Sequence, residues 1–373
     1  MLQNAPEKQS SIPGGTANMR TSVFGMLLVM LCCGQTPPIN GLAAVADRAA
    51  ERAMTIKLAP GVVVLVASHG RVIFLRGYGV RDLKSRRPVT PNTHFEIGSV
   101  TKQFTAAAIM QLLNAGKLSL EDTLSKYVPT YTAGASVTIQ QLLWQTSGIP
   151  NYVENPDIMK IASTVQPSLA GVLNLIAHKP LRFTPGTEWA YSNTNYFLLA
   201  HIIEVTSGET YQQYLREYIF KRAGMSDTGF VSDEPRLADM ARGYLTSVGA
   251  VVPSPRFFSG WAAGAGDIVS TAPDMNRWDD ALLAGKLVPM RYVGMMRTSG
   301  KLKSGSSTGY GMGWYIHEPK NGAVIIWHNG GTFGFSADNN TYPSSDATII
   351  VMDNNIAADA ENVAAEISVG IHL

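Results

Sequence analysis

The sequence predicts an α/β protein of the α+β kind, in which one antiparallel sheet is built from both ends of the chain. β-Branched runs occur over residues 61–80 and return after residue 310, whereas helical periodicity dominates between them. With 373 residues, 45% of them hydrophobic and 16% charged, the chain can bury a large core. We expect a sheet lobe over residues 41–118 and 300–373, flanked by helices, and an inserted, mostly helical lobe over residues 119–299.

The first forty residues are expected to form an export segment and a linker. Residues 23–33 are an apolar run that follows Met19 and Arg20 and contains both cysteines, a pattern typical of a secretory signal. The polar stretch before it suggests that Met19 is the natural start. No other apolar run could span a membrane, so membrane contact is expected only through this signal or a lipid anchor. The residues leave a plain exported protein, periplasmic or secreted, and a lipoprotein equally open.

The N-terminal part of the sheet lobe is predicted from periodicity and turn residues. Alanine-rich periodicity favours a helix, and two β-branched runs around a glycine-containing turn favour a hairpin. A polar loop then leads to a second helix, for which a glycine provides a typical C-cap. These elements are a helix over residues 41–57, a hairpin over residues 61–80 with its turn at Ser68-His69-Gly70, a loop over residues 81–91, and a helix from Ser99 to Gly116.

The remaining elements follow the same logic. The middle of the chain shows helical patterns joined by long loops, and the C-terminal part shows strands followed by one helix. The predicted helices are 138–143, 168–178, 196–207, 211–222 and 358–369, the long loops are 183–195 and 245–266, and the strands are 311–317, 323–331, 334–342 and 347–355.

The first candidate for chemistry is Ser99-Val100-Thr101-Lys102, the only Ser-x-x-Lys in the chain. Residues three apart share a helix face, so the hydroxyl and the amine are expected to meet. A desolvated Lys102 can lose its proton and then take the proton of Ser99. The backbone N–H of Ser99 can help hold an oxyanion. The alternative is that Ser99 is merely a helix N-cap and Lys102 a solvated residue.

The second candidate is Tyr191-Ser192-Asn193, in the loop before the helix predicted at Tyr196. Beside an ammonium the phenolate form of a tyrosine is favoured, so Tyr191 can shuttle protons. Asn193 offers a donor and an acceptor to a substrate amide. Taken alone, this stretch is better explained as an Asn-rich turn that begins the helix.

The third candidate is His328-Asn329-Gly330-Gly331, at the end of a predicted strand. Two glycines in a strand mark a place where another group approaches the backbone closely. Gly331 can donate its N–H to an extended substrate or to an oxyanion. The alternative is a bulge or a strand-ending turn, with His328 at the surface.

In this order and context, the three motifs resemble those of the serine β-lactamase and penicillin-binding family. The resemblance is to the branch with class C β-lactamases, D-Ala-D-Ala carboxypeptidases, D-aminopeptidases and β-lactamase-like esterases. That family has Ser-x-x-Lys, then Tyr-x-Asn, then Lys/His-x-Gly. Further segments are also similar, and the resemblance covers most of residues 60–353. These segments are FEIGSVTKQFTA, LLWQTSGIPNY, PGTEWAYSNTNYFLLAHIIE and GAGDIVSTAPDMNRW.

The resemblance implies a β-lactamase/transpeptidase-like fold and two-step acyl transfer without a cofactor or a metal. It implies that Ser99 is the acylated nucleophile, Lys102 its general base and Tyr191 a proton relay. Asn193, His328, Asn329 and Gly330 are then expected to bind substrate, and the N–H groups of Ser99 and Gly331 to form the oxyanion hole. The expected partner is a small-molecule or peptidoglycan-like substrate.

The third motif departs from the Lys-Thr-Gly of class C β-lactamases, which helps to bind a substrate carboxylate. Here it reads His328-Asn329-Gly330, which places efficient β-lactam hydrolysis in doubt. The leading prediction is therefore an exported serine hydrolase that cleaves a D-amino-acid peptide, a β-lactam or a related amide. A carboxylesterase on the same fold and a non-catalytic penicillin-binding-like protein are the alternatives.

Composition and missing motifs argue against other classes. A net charge of +2 without a dense basic tract does not favour a nucleic-acid partner. The seven histidines are scattered without the spacing of metal ligands, so no metal site is predicted. The oligomeric state is not predicted.

Overall fold

The computed structural model describes residues 41–373 except Lys57, His178, Phe257, Ser259, Lys320 and Asn321. The predicted export segment lies outside the described residues. The strands are β1 (Gly61–Ser68), β2 (Arg71–Gly79), β3 (Phe95–Glu96), β4 (Gly229–Phe230), β5 (Tyr244–Ser247), β6 (Ala250–Pro253), β7 (Ile268–Ser270), β8 (Tyr315–His317), β9 (Ile325–Gly331), β10 (Ser336–Tyr342) and β11 (Ala347–Asp353). The helices are α1 (Leu42–Thr55), α2 (Thr101–Asn114), α3 (Ile139–Leu143), α4 (Ile158–Thr164), α5 (Leu169–Ile176), α6 (Asn193–Ser207), α7 (Tyr211–Leu215), α8 (Lys221–Ala223), α9 (Ala272–Leu283), α10 (Met290–Met296) and α11 (Ala360–Gly370).

The central sheet has the strand order β2-β1-β11-β10-β9-β8, and its neighbouring strands are antiparallel. This confirms the prediction of one sheet built from both ends of the chain. The hairpin between β1 and β2 turns at His69 and Gly70, whose φ angles are 50° and 68°. Two successive residues with positive φ match the twist of antiparallel strands, which explains the tight connection.

Strand β1 is buried on both faces, as its uninterrupted apolar sequence requires. Val62, Val64 and Val66 pack with apolar residues of α1 and α11 on one side of the sheet. Val63 and Leu65 point to the other side and join the main core. The sheet is therefore the middle layer between the two terminal helices and the rest of the protein.

Helix α2 lies in the main core and is buried at every position from Thr101 to Met110. A helix that is apolar on nearly all sides must be covered on all sides. It ends where Gly116 adopts a φ of 66°, with the N–H groups of Gly116 and Lys117 bonded to the carbonyls of Leu113 and Leu112 at 3.0 Å each. This pair of bonds is a Schellman C-cap, which confirms the predicted helix end.

The middle of the chain differs from the prediction at several boundaries. Helix α6 begins at Asn193 rather than Tyr196, so Asn193 belongs to its first turn. The helix predicted over residues 211–222 is interrupted by a π-helical turn at Arg216–Phe220. The loop predicted over residues 245–266 contains most of the β5–β6 hairpin, which turns at Val248 and Gly249 with positive φ angles. These elements contain too few residues for hydrophobic periodicity to identify their boundaries.

The division into a sheet lobe and a helical lobe at residues 119 and 299 stays a prediction. Two further small sheets, β3-β7-β4 and β5-β6, lie outside the six-stranded sheet. In the part of the chain that the structure describes, no helix is long and apolar enough to cross a membrane.

Candidate active site

Ser99 lies in a short 3-10 turn, Gly98–Val100, directly before α2. Gly98 has a φ of 48°, and a Cβ atom there would lie 2.7 Å from the backbone N of Gly331. A Cβ atom on Gly330 would lie only 2.0 Å from the carbonyl oxygen of Ile97. The Ser99 turn is therefore a group that approaches the glycines of β9 closely, as the two glycines predicted.

Lys102 is fully buried, so the alternative of a solvated lysine is wrong. Its Nζ lies 2.9 Å from Ser99 Oγ, 2.8 Å from Asn193 Oδ1 and 2.8 Å from the carbonyl oxygen of Ala265. Ser99 is not the N-cap of α2, because Val100 holds that position. Burial lowers the pKa of Lys102 well below its ordinary value. A neutral amine at this place can donate to Asn193 and Ala265 and accept the proton of Ser99.

Tyr191 lies beside the same pair, with the Lys102 Nζ 4.8 Å from the centre of its ring. Burial raises the pKa of Tyr191 well above its ordinary value, and a hydrogen bond with Ser99 opposes this shift. The expectation that a nearby ammonium favours the phenolate is therefore wrong for this site. Both shifts favour the neutral phenol and the neutral amine.

Asn193 occupies the first turn of α6, where its side chain accepts from Lys102 and its backbone N–H donates to Asn151 Oδ1 at 3.1 Å. The preceding Ser192 N–H donates to Gln145 Oε1 at 3.0 Å. Gln145 is buried in a left-handed conformation with a φ of 60°. Sequence patterns do not identify Asn151, Gln145 or the Ala265 carbonyl, since their roles depend on contacts between distant segments.

Two backbone N–H groups are candidates for holding an oxyanion, those of Ser99 and Gly331. In the β9–β10 ladder Gly331 is paired with Ser336, and the next residue, Thr332, donates its N–H to the Phe335 carbonyl at 3.0 Å. Hydrogen-bonded and non-bonded pairs alternate in such a ladder, so the Gly331 N–H points away from β10. Among the described pairings, β8 covers that side of β9 only as far as Trp327. Gly331 therefore faces the Ser99 turn.

His328 is fully buried, so the alternative of a surface residue is wrong. Its Nε2 lies 3.0 Å from the Tyr310 hydroxyl, and its Nδ1 lies 2.6 Å from the Asn329 carbonyl oxygen. Burial is the main cause that lowers the pKa of His328 to about 3, so the ring is neutral. Its side chain holds Tyr310 and the strand end, while Asn329 and Gly330 reach a cavity beside Ser99.

Two cavities flank Ser99. The smaller, of about 410 Å³, is lined by the end of β9 and the start of α11, including Asn329 and Glu361. The larger, of about 950 Å³, extends from Asn193 to aromatic residues such as Tyr152 and Trp261. A substrate whose carbonyl carbon meets Ser99 Oγ can thus extend in two directions.

A carboxyl pair, Glu96 and Glu234, lies at the wall of the larger cavity. Burial, followed by the charge of Glu234, raises the pKa of Glu96 well above its ordinary value. Burial also raises the pKa of Glu234, against the hydrogen bond from Glu96 and the charges of Arg256 and Arg242. Protonated Glu96 therefore donates to Glu234. Their separation of 138 positions hid this pair from sequence reasoning.

Among the described residues, no group of three or more His, Cys, Asp or Glu side chains is arranged to hold a metal ion. The described site offers a hydroxyl, an amine, a phenol and two backbone N–H donors for chemistry.

The sequence profile of the β-lactamase family matches residues 46–359. The chain belongs to the β-lactamase family. It is 33% identical over 298 residues to the putative penicillin-binding protein PbpX of Bacillus subtilis, covering 80% of this chain and 71% of that protein. It is 30% identical over 305 residues to Protein flp of Staphylococcus aureus, covering 79% of this chain and only 59% of flp. This β-lactamase-family chain is a hydrolase of the serine β-lactamase fold.

Solved structures share this fold. The octameric penicillin-binding protein homologue from Pyrococcus abyssi superposes with a TM-score of 0.77 at 26% identity, covering 88% of this chain and 77% of that one. The D-amino acid amidase from Ochrobactrum anthropi SV3 gives a TM-score of 0.78 at 22% identity, covering 89% and 98%. The predicted β-lactamase/transpeptidase-like fold is thereby confirmed.

Proposed function

We propose that the chain is an exported serine hydrolase that forms an acyl-enzyme on Ser99 and cleaves a D-amino-acid peptide, a β-lactam or a related amide. The observation that carries this proposal is the buried Lys102 amine, 2.9 Å from Ser99 Oγ. Its other two hydrogen-bond partners are uncharged, so burial is not compensated and the amine is available as a base.

Acylation begins when Ser99 Oγ attacks the substrate carbonyl carbon while its proton passes to the Lys102 amine. The carbonyl oxygen becomes an oxyanion, which the N–H groups of Ser99 and Gly331 stabilise. The bond to the leaving group then breaks. The leaving nitrogen or oxygen takes a proton from the Tyr191 hydroxyl, and Lys102 returns its proton to Tyr191.

Deacylation repeats these transfers with water in place of the leaving group. Water attacks the acyl carbon and loses its proton to Lys102, directly or through Tyr191, and Ser99 Oγ leaves with that proton. Asn193 fixes Lys102 and offers its amide N–H groups to the substrate. We assign His328 a positioning role, since its buried ring holds Tyr310 and the Asn329 carbonyl.

The relatives support the substrate class, and the N-terminal sequence supports the export. A relative named as a putative penicillin-binding protein and a fold neighbour named as a D-amino acid amidase both suit an amide with a D-configured centre. Residues 1–40 supply the predicted signal or lipid anchor, so we place the protein outside the cytoplasm, in the periplasm or secreted.

Three substrates test the proposal side by side: nitrocefin, a short-chain nitrophenyl ester and a D-Ala-D-Ala peptide. The wild type is expected to hydrolyse at least one amide substrate, and Ser99→Ala is expected to abolish turnover. Ser232→Ala is the matched control, because Ser232 is an exposed serine at the wall of the larger cavity.

Each outcome separates the alternatives. Turnover of the ester alone would favour the carboxylesterase. A penicilloyl adduct seen by intact mass without turnover would indicate a penicillin-binding-like protein with slow deacylation. Activity that persists in Ser99→Ala would exclude the proposed mechanism.

A further inference from the structure

The smaller cavity beside Ser99 lies where β9 runs past the end of β8. Its wall includes Asn329, Tyr315 and Glu361, the last of which is in the first turn of α11. Any substrate bound at Ser99 with its oxygen at the Ser99 and Gly331 N–H groups is adjacent to this wall. The charge of the wall therefore bears directly on which substrate groups can enter.

Glu361 is fixed at this wall rather than free in solvent. Asn329 Nδ2 donates to Glu361 Oε2 at 2.6 Å, which orients the carboxylate toward the strand that carries Gly331. The Glu361 charge also acts on Tyr315, the aromatic residue on the other side of the cavity. Burial is the larger cause and the Glu361 charge the second of the rise in the Tyr315 pKa to about 12. Asp359 adds a second acidic side chain to the same wall.

No cation offsets this charge among the described residues that line the smaller cavity, because none of them is a lysine, an arginine or a histidine. Two basic residues lie nearby. Burial lowers the pKa of both Lys102 and His328, so the environment of each favours its neutral form. The Asn329 amide, which could have bound an anion, already donates one of its two N–H groups to Glu361.

The larger cavity on the other side of Ser99 differs in charge. Arg242 and Arg256 line it together with four acidic residues, Asp82, Asp267 and the Glu96–Glu234 pair, in which one carboxyl keeps its proton. A substrate anion could pair with a guanidinium group there. The two directions of the site thus differ, because only the larger cavity has guanidinium groups on its wall.

We propose that Glu361, oriented by Asn329, is a specificity-determining residue that makes the smaller cavity accept an uncharged or cationic substrate group and reject a carboxylate. Two like charges a few ångströms apart repel each other. The inference rests on the proposed function, because it supposes that substrate is acylated at Ser99. It narrows the substrate class to amides, esters or internal peptide bonds without a carboxylate on that side.

Two matched substrate pairs test it, one for each orientation of the substrate. The first pair is a D-Ala-D-Ala peptide and its C-terminal amide, which differ on the leaving-group side. The second is nitrophenyl butyrate and mono-nitrophenyl glutarate, which differ on the acyl side. The wild type is expected to prefer the neutral member of at least one pair by about tenfold or more in kcat/KM, or about 1.4 kcal/mol.

Two variants change the charge. Glu361→Gln keeps an acceptor for Asn329 and is expected to reduce that preference about tenfold, and Glu361→Lys is expected to reverse it. Glu366→Gln is the control, because Glu366 lies on the same helix and pairs with Arg52 instead. A role limited to the stability of α11 would change the thermal midpoint and leave the substrate ratio constant.

The outcomes distinguish this inference from the function on which it rests. Unchanged ratios in both variants, with turnover that still depends on Ser99, would overturn the role of Glu361 and leave the hydrolase intact. Absence of turnover and of any Ser99 adduct with all four substrates would overturn both.

Discussion

Two ionisable residues lie at equal distances along the chain from Ser99, Glu96 three positions before it and Lys102 three positions after it. Burial disfavours the charge of each, so the acid keeps its proton and the base loses its own. The consequences differ. Neutral Lys102 contacts Ser99 and becomes a proton acceptor, whereas neutral Glu96 faces Glu234 and becomes a hydrogen-bond donor. The same physical cause thus leaves an amine beside Ser99 as a candidate base on one side and joins two carboxyl groups on the other.

Replacing Lys102 by methionine should have the largest effect, because it removes the base while filling the same buried volume. We expect kcat/KM to fall by about 10³- to 10⁴-fold, the upper range for loss of a general base. Stopped-flow acylation with intact-mass detection of the adduct measures this step directly. Acylation at the wild-type rate in Lys102→Met would show that another group takes the Ser99 proton.

Tyr191→Phe should have a smaller effect, since Lys102 remains in contact with Ser99. Loss of the phenol hydroxyl removes the proton donor to the leaving group and one relay of the water proton to Lys102, and we expect about a 10²-fold decrease in kcat. Amides should be affected more than nitrophenyl esters, because a nitrophenolate leaves without a proton. Equal losses on both substrates would argue against a proton-relay role.

The pH dependence of the rate follows from the direction of the Lys102 shift. Only the neutral amine accepts a proton, so kcat/KM should rise with pH as Lys102 deprotonates and then level off. Because burial lowers the pKa of Lys102, this plateau should begin well below pH 10.5, the ordinary value. A rate that continues to rise to pH 10.5 would show that Lys102 is charged in the free enzyme.

Glu96→Gln tests the other half of the comparison through stability. The folded pKa of Glu96 lies above its unfolded value, so its contribution is full at low pH and is lost as pH rises through the folded pKa. The glutamine side chain can donate a hydrogen bond to Glu234, but it does not ionise in this pH range. Between pH 5 and pH 8 the wild type should therefore lose unfolding free energy relative to the variant. The loss should be about 1.4 kcal/mol for each pH unit over which Glu96 is protonated in the folded state and ionised in the unfolded state.

Urea unfolding at the two pH values measures this difference. Glu121→Gln, at an exposed position, should leave the wild-type pH dependence in place. If the unfolding free energies of Glu96→Gln and the wild type change equally between the two pH values, Glu96 does not hold a proton between the two carboxyl groups.

Sequence patterns predicted the features that depend on local geometry. The turn at His69-Gly70, the C-cap at Gly116 and the meeting of Ser99 with Lys102 each involve residues within five positions of one another, and all three appear in the structure. The C-terminal strands were found for a similar reason, because β-branched runs need no distant partner to be recognised.

The features that were missed depend on contacts between distant segments. The start of α6 at Asn193 is stabilised by Gln145 and Asn151, more than forty residues earlier in the chain. The pKa of Tyr191 was predicted to shift in the wrong direction. A sequence can suggest a neighbouring lysine, but it does not show the loss of solvent around both groups. The pairing of Asn329 with Glu361 was hidden in the same way.

The close approach between the Ser99 turn and β9 has a further consequence for how such an enzyme can change. Gly98 and Gly330 bring the two backbones together without any side chain between them. The spacing of the Ser99 and Gly331 N–H groups, the candidate oxyanion donors, thus depends on this main-chain contact. Substitutions in either cavity can alter which molecule is held without altering that spacing, so new substrates can be acquired while the bond-breaking geometry stays constant.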